Sequence, residues 1–474
     1  MERHYKPGAS KARNFSYVLF TLGLFFSPFN DFEGFSFLGE YSNELGTYFF
    51  LLGFLFLFFG RYIVLPYKDR LFLLILLFIC WCFICTVLNY NTVHTNYFKM
   101  TGGIERFIRQ YLSLLIAAFI FPVLFINAIW RMSNKDLLIK IRKIFLYSFI
   151  FVGGYGLLEA AISIFHISAF KILYETFDIF PMFNAHYHDN RISSVAFEPP
   201  FFAIYLITIS GWMFSYILTH KSIYRFVPVV MVLLLAFFSG SRTALITITI
   251  QAGIFVVILY QMPGYKRLII NSIRYGAALV FIVLVLNSKT LIEAFKERID
   301  SLDFKNNLTE NVSNKSRFGM QVAALRVFAE NPIVGVGYGQ QSYHARHKYP
   351  LWATKNNYEF ELYYKNHLEP SFPPVFNLYT RYLAETGIIG FIIVISWFIY
   401  AIRSSIRILK TKQLSADTVI ATILLTSFVG FMLNWMQVDS LRIYGFWLSA
   451  AILIKITQNP IYPNEQDSSS YTTL

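Results

Sequence analysis

The chain predicts an all-α polytopic membrane protein of about 12 transmembrane helices with one large outer segment. Three observations carry that fold class. Of 474 residues, 56% are hydrophobic and only 14% charged, and mean hydropathy is +0.50, more apolar surface than a soluble fold could bury. Near-uncharged runs of about 18 residues recur along the chain, each long enough to cross ~30 Å of hydrocarbon. Between them, Lys and Arg collect in loops on alternate sides, the positive-inside pattern. That distribution turns the net charge of +14 away from nucleic acid, since the positive charges line a membrane rather than form one patch.

The first span is expected at 15–29. Its basic start (Arg3, Lys6, Lys11, Arg13) and missing small-residue cleavage site read as a retained helix with a cytoplasmic N-terminus. Further spans follow at 47–65, 71–88, 107–130, 144–165, 198–218, 226–239, 242–260 and 270–287, then at 376–401, 418–437 and 441–457. Counted from a cytoplasmic start, the loops carrying Arg61/Lys68/Arg70, Arg131 to Lys143, Lys221/Arg225, Lys266/Arg267 and Arg403 to Lys412 fall inside. The segment 30–46 falls outside, with Asp31, Glu33, Glu40 and Glu44 and no basic residue. An even count puts both ends inside. The domains are therefore 1–287 with nine spans, an outer segment 288–375, three spans in 376–457, and a polar tail 458–474. Cys80, Cys82 and Cys85 point in different directions around one span, so neither a metal site nor a disulfide follows.

The outer segment contains a helix signal from Arg317 to Glu330. Phe318, Val322, Leu325 and Phe328 or Ala329 recur at spacings of three or four, and Pro332 ends the pattern. Such a helix would lie on the membrane surface or cap the bundle.

Arginines at the outer rim run against the positive-inside trend and call for a partner. Arg242 lies in FFSGSRTALI with almost no loop around it, Arg191 precedes the span that opens with FEPP, and Arg317 begins the outer helix. A guanidinium grips phosphate oxygens through two donors at once. One reading is a clamp on a lipid diphosphate; the other is a snorkelling arginine that meets headgroups or a carboxylate. Glu198 either caps the helix that Pro199-Pro200 opens or pairs with an arginine or takes a proton from a sugar hydroxyl. Asn377, Arg381 and Glu385 share one helical face, either as a self-neutralising pair or as contacts to a glycan. Histidines 344, 347 and 367 fall in the outer segment, and His186 and His188 precede Arg191. The H-x-H spacing would suit zinc, but no third ligand stands out. The run IVGVGYGQ (333–340) lacks the setting of an ion filter and reads as a tight turn whose amides approach the membrane, near a phosphate. Asp31 and Glu33 read as part of a merely acidic loop.

At these residues the chain resembles the bacterial O-antigen polymerase and O-antigen ligase superfamily. The match rests on FEPPFFA after an arginine, SGSRTALI between two spans, SRFGMQVAALRVFAENPIVGVGYG, and FNLYTRYLAETGIIGFI, together about Arg191 to Ile392. The resemblance implies a GT-C-like, metal-independent glycosyltransferase with no cofactor, in the bacterial inner membrane. Its substrate would be an undecaprenyl-diphosphate-linked oligosaccharide on the periplasmic side, its surroundings membrane lipid, and a chain-length regulator protein a candidate partner. Arg191, Arg242 and Arg317 would hold the diphosphate. Ligases of this superfamily place a histidine immediately before the asparagine of the late span; here Phe376 stands there, which favours a polymerase. His367 substitutes as the candidate base with Glu198 beside it, and Tyr338, Asn377 and Arg381 as glycan contacts. A ligase and a flippase are the alternatives. A flippase fits less well, because internal repeats and mid-membrane charges are not evident.

Overall fold

The structure, a computed structural model, describes residues 7–60, 63–188, 190–262, 264–267, 269–271, 274, 312–410 and 414–458. Its helices, in chain order, are α1 Pro7–Phe25, α2 Leu45–Phe59, α3 Arg70–Leu88, α4 Gly103–Ile129, α5 Asn134–Ser163 and α6 Pro199–Thr219. Then come α7 Ile223–Phe238, α8 Arg242–Gln261, α9 Val312–Glu330, α10 Leu378–Leu409, α11 Ala416–Asn434 and α12 Tyr444–Gln458. Among the described residues, seven of these (α3, α4, α5, α6, α8, α10 and α11) are long and apolar enough to cross a membrane, and the only strands are a two-residue antiparallel pair, Tyr97–Phe98 with Thr101–Gly102. The protein is an all-α polytopic membrane protein. The expected span at 270–287 lies outside the described residues apart from its first residues and Arg274, as do 288–311 of the outer segment and the tail from 459.

Local chemistry fixes the helix ends. Asp69 accepts from Leu71 N and Phe72 N at the start of α3, and Ser415 with Thr418 closes a capping box at the start of α11. In α4 the backbone widens to a π turn over Ile116–Ile120, just before Pro122, which has no N–H to return to Ala118. The core is aromatic: Phe446 of α12 meets Trp435 and Trp447 with ring centroids 4.8 Å apart in each case.

Side-chain bonds between distant loops sort the helix ends into two faces. On one, Asn134 donates to Asp417 (2.6 Å) and accepts from Lys455 (2.6 Å), Thr457 donates to Asp69 (2.8 Å), and Arg142 donates to Thr219 (2.6 Å). This face also carries the basic loops around Lys68, Arg131, Lys221 and Arg407. On the other, Phe197 N donates to Asn30 (2.9 Å), Arg442 to Glu44 (2.7 Å), Asn89 to Gly335 O (3.1 Å) and Val375 N to Asp439 (2.6 Å).

The helix expected from Arg317 is present, already helical at Val312, and buries a different face. Its inward residues are Ser316, Gly319, Met320, Ala323, Ala324 and Val327, while Leu325 is 42% exposed. Small side chains win the inward face because neighbouring backbone comes close: a Cβ on Gly319 would sit 2.4 Å from the Cβ of Ala353.

Five amides of the run 333–340, those of Gly335, Val336, Gly337, Tyr338 and Gln340, are bonded within the protein rather than turned to an anion as expected. Gly335, Gly337 and Gly339 all have positive φ (74°, 99° and 77°), and the chain between them lies along a break in α10 at Gly387 (φ 65°, ψ −168°). Val336 N donates to Ala384 O (3.0 Å), Gly337 N to Glu385 O (3.0 Å), and Ile388 N to Pro332 O (2.9 Å). The Trp81 indole donates to Thr386 O (2.9 Å), and Tyr338 N donates to Thr86 Oγ1 (2.9 Å). A helix interrupted inside the bilayer needs such replacements, because lipid supplies no hydrogen bonds.

Candidate functional site

Three helices open toward the face opposite the basic loops: α6 at Glu198, α8 at Arg242 and α10 at Asn377. Their N-termini place partial positive charge there. At α6, Glu198 occupies the N-cap position yet makes no side-chain capping bond. The reason is chemical: Pro199 and Pro200 have no N–H to donate, and the first free donors, Phe201 N and Phe202 N, bond the Glu198 carbonyl instead (3.0 and 3.3 Å). Glu198 therefore stands at the helix start without a capping hydrogen bond, and its carboxylate is exposed.

Arg242 is the first residue of α8, directly after a turn in which Gly240 adopts φ 62°. Ser241 caps the helix through Ala244 N (3.3 Å), and Ser239 accepts from Ser241 N (3.2 Å). Arg317, in the second turn of α9, lies with its guanidinium 5.0 Å from the Phe376 ring. Its Nε is buried and, among the described residues, has no hydrogen-bond partner. Burial holds the Arg317 pKa below the usual arginine range; Tyr364, Glu359 and Glu198 act against that shift, and the Arg242 charge adds to it. Arg317, Arg242 and Glu198 therefore share one electrostatic neighbourhood. Among the described residues neither arginine has an ion-pair partner within salt-bridge distance.

Arg191 is exposed on the loop before α6. Its neighbour Ile192 donates to Phe238 O (3.1 Å), which ties this loop to the turn that carries Arg242. The loop itself is held by a residue that sequence reasoning missed. Glu159 of α5, fully buried, accepts from Ser193 N at both oxygens (3.1 Å each) and from Ser194 N (2.6 Å). An acidic residue within an apolar span was the available signal.

The remaining candidates have other partners. Asn377 caps α10 through Tyr379 N and Thr380 N (3.0 and 3.1 Å), and Arg381 is spent on Glu385 (3.2 Å), Asp439 O (2.8 Å) and Gln110 (2.7 Å). Tyr338 is 4% exposed, beneath the Arg381 guanidinium. His367 lies edge-on to Phe98 (5.4 Å, 90°), beside the strand pair whose turn residue Lys99 donates to Tyr363 O and Glu369 O. His186 Nε2 is 2.7 Å from Asp31 Oδ2.

Close to Glu198 lies a cleft of about 710 Å³, open solvent included, walled by Leu24, Phe145, Phe201 and Tyr205. Its polar end is Arg442, held by Glu44 (2.7 Å) and Glu40 (3.4 Å).

Residues 227–395 match the family model for O-antigen ligase. This stretch, about a third of the chain, is similar to that family. No curated protein matches it. The superfamily region takes in Arg242, Arg317 and Phe376, whereas Glu198, Arg191 and Glu159 lie ahead of it. The apolar helices make the chain a multi-pass membrane protein.

Proposed function

We propose that this protein is a polymerase of lipid-linked glycan repeat units. In this reading the growing chain passes from undecaprenyl diphosphate to a sugar hydroxyl of the next lipid-linked unit. The observation that carries it is that the Arg242 charge acts on Arg317 while, among the described residues, neither forms a salt bridge with a carboxylate. Two guanidiniums repel, and a diphosphate between them would relieve that repulsion while its negative charge grows on leaving. Helix N-termini at the same rim add to the attraction. The apolar-walled cleft beside Glu198 gives the carrier's hydrocarbon a route to the rim. Phe376, stacked on Arg317 where ligases place a histidine, favours polymerase over ligase. With the basic loops cytoplasmic, the site faces the periplasm of the inner membrane and both termini face the cytoplasm. The reaction needs no cofactor, because the diphosphate leaving group is already activated.

The test is reconstitution in proteoliposomes with a synthetic lipid-linked repeat unit, followed by sizing of the products. A ladder of repeats is expected from the wild type, and Arg242→Ala or Arg317→Ala should lower its rate by roughly 10²–10³-fold, the usual loss for a stabiliser of developing charge. A single transfer to lipid A core with no ladder would make it a ligase. Wild-type rates in both variants would remove the arginines from the mechanism.

A further inference from the structure

Two features that the sequence leaves bland, the acidic loop at Asp31 and the H-x-H run at 186–188, meet in space across 155 positions. We propose that His186, held by Asp31, is the general base that accepts the proton of the acceptor hydroxyl; this rests on the polymerase reading above.

The geometry is that of an oriented base. His186 Nε2 lies 2.7 Å from Asp31 Oδ2, and Asn184 fixes that carboxylate by donating to the same Oδ2 (2.7 Å) and to Asp31 O (3.0 Å). A carboxylate on one ring nitrogen sets the tautomer with Nε2 protonated, so Nδ1 carries the lone pair. Among the described residues Nδ1 has no hydrogen-bond partner. The pair is sheltered but reachable, with side-chain exposures of 26% for His186 and 13% for Asp31.

The dyad is also tied to the arginine rim. The His186 ring stands edge-on to Phe197 (5.7 Å, 89°), and Phe197 N donates to Asn30 Oδ1 (2.9 Å), next to Asp31. Phe197 is followed by Glu198, one of the groups that act on Arg317. The base is thus linked through Phe197 to the residue that acts on the arginine rim. His188 stacks on His186 at 5.9 Å with its Nε2 buried and unpartnered, and burial, His186 and Arg191 all favour its neutral form.

In the step, the acceptor O–H gives its proton to His186 Nδ1 as the oxygen attacks the anomeric carbon of the donor glycan. The bond from that carbon to the diphosphate oxygen breaks, and its electron pair leaves with the lipid diphosphate. The imidazolium, stabilised by Asp31, then returns its proton to the leaving phosphate or to water. His186 is the catalytic group here; Asp31 is a positioning residue.

The experiment uses the full chain in proteoliposomes with the synthetic lipid-linked repeat unit. His186→Ala should lower kcat by roughly 10²–10⁴-fold with KM changed only a few-fold, the range for loss of a general base. Added imidazole should restore part of the rate. Asp31→Asn should also lower kcat more than it raises KM, and His186→Gln, which keeps a donor toward Asp31 but supplies no base, should restore thermal stability without restoring rate. A kcat for His186→Ala within threefold of wild type, or a His186→Gln variant with normal rate, overturns the proposal. Wild-type protein that makes no polymer overturns the polymerase reading itself, and a ladder that persists with its rate independent of His186 overturns only the base.

Discussion

Replacing Gly387 with alanine should cost about 4–6 kcal/mol of stability, a large part of what holds a typical domain together. At φ 65° and ψ −168° the backbone occupies a region reserved almost wholly for glycine, and a side chain there costs roughly 1–3 kcal/mol. The new Cβ would also fall 2.2 Å from Ile333 O and 2.7 Å from Val334 N, so the segment 332–340 has to move. Its movement breaks the bonds from Val336 N, Gly337 N and Ile388 N, each worth about 1 kcal/mol net. Cys85 reports on the event. It is fully buried with Sγ 3.9 Å from Glu385 O, so displacement of the segment should expose it. The assay is maleimide labelling of Cys85 in a Cys80→Ser/Cys82→Ser background, beside thermal unfolding in detergent. Gly335→Ala should behave alike, because its Cβ would meet Glu385 C and O at 2.5 Å, and the double variant should cost less than the sum of the two. Wild-type labelling rate and unchanged melting in Gly387→Ala would refute the docking of this segment as a source of stability.

Other perturbations have equally definite outcomes. Glu159→Ala strands the buried N–H groups of Ser193 and Ser194 at roughly 1–3 kcal/mol each and should loosen the loop bearing Arg191; Glu159→Gln, which keeps an acceptor, should lose less, as read by melting temperature. Burial first, then Lys348, lowers the His344 pKa, so the unfolded chain takes up its proton before the folded one does. Stability from this group is complete above the unfolded value near 6.5 and is lost as pH falls through the lower folded value; a shallower acid slope in His344→Gln checks the sign. His367→Ala should leave product lengths unchanged, since that ring packs on Phe98; shortened chains would assign the base to His367 instead.

Much of the architecture was legible because the bilayer imposes it. Runs such as 71–88 and 418–437 announce spans by length and hydropathy alone, and the helices Arg70–Leu88 and Ala416–Asn434 occupy them. The helix after Val312 was legible in position but not in orientation. Periodicity assigns the inner face to bulk, whereas close packing against neighbouring chain selects Gly319, Ala323 and Ala324, which carry almost no hydropathy signal. At the site, Arg242 and Arg317 could be singled out as charges on an unexpected side. The free carboxylate of Glu198 could also have been deduced from the two prolines that follow it. The contact between Asp31 and His186 could not, because its partners belong to different loops and only tertiary folding brings them together. Nor could Arg442, whose meaning depends on Glu40 and Glu44 almost the whole chain away.

The break at Gly387 bears on how the protein is made. The stretch that completes α10 leaves the ribosome before α10 does, and so do Trp81 and Thr86, which finish the same joint. Every group needed to shield the bare carbonyls is thus already synthesised when the interrupted helix reaches the translocon. The polar segment is thus available to close over that helix as the helix partitions into lipid.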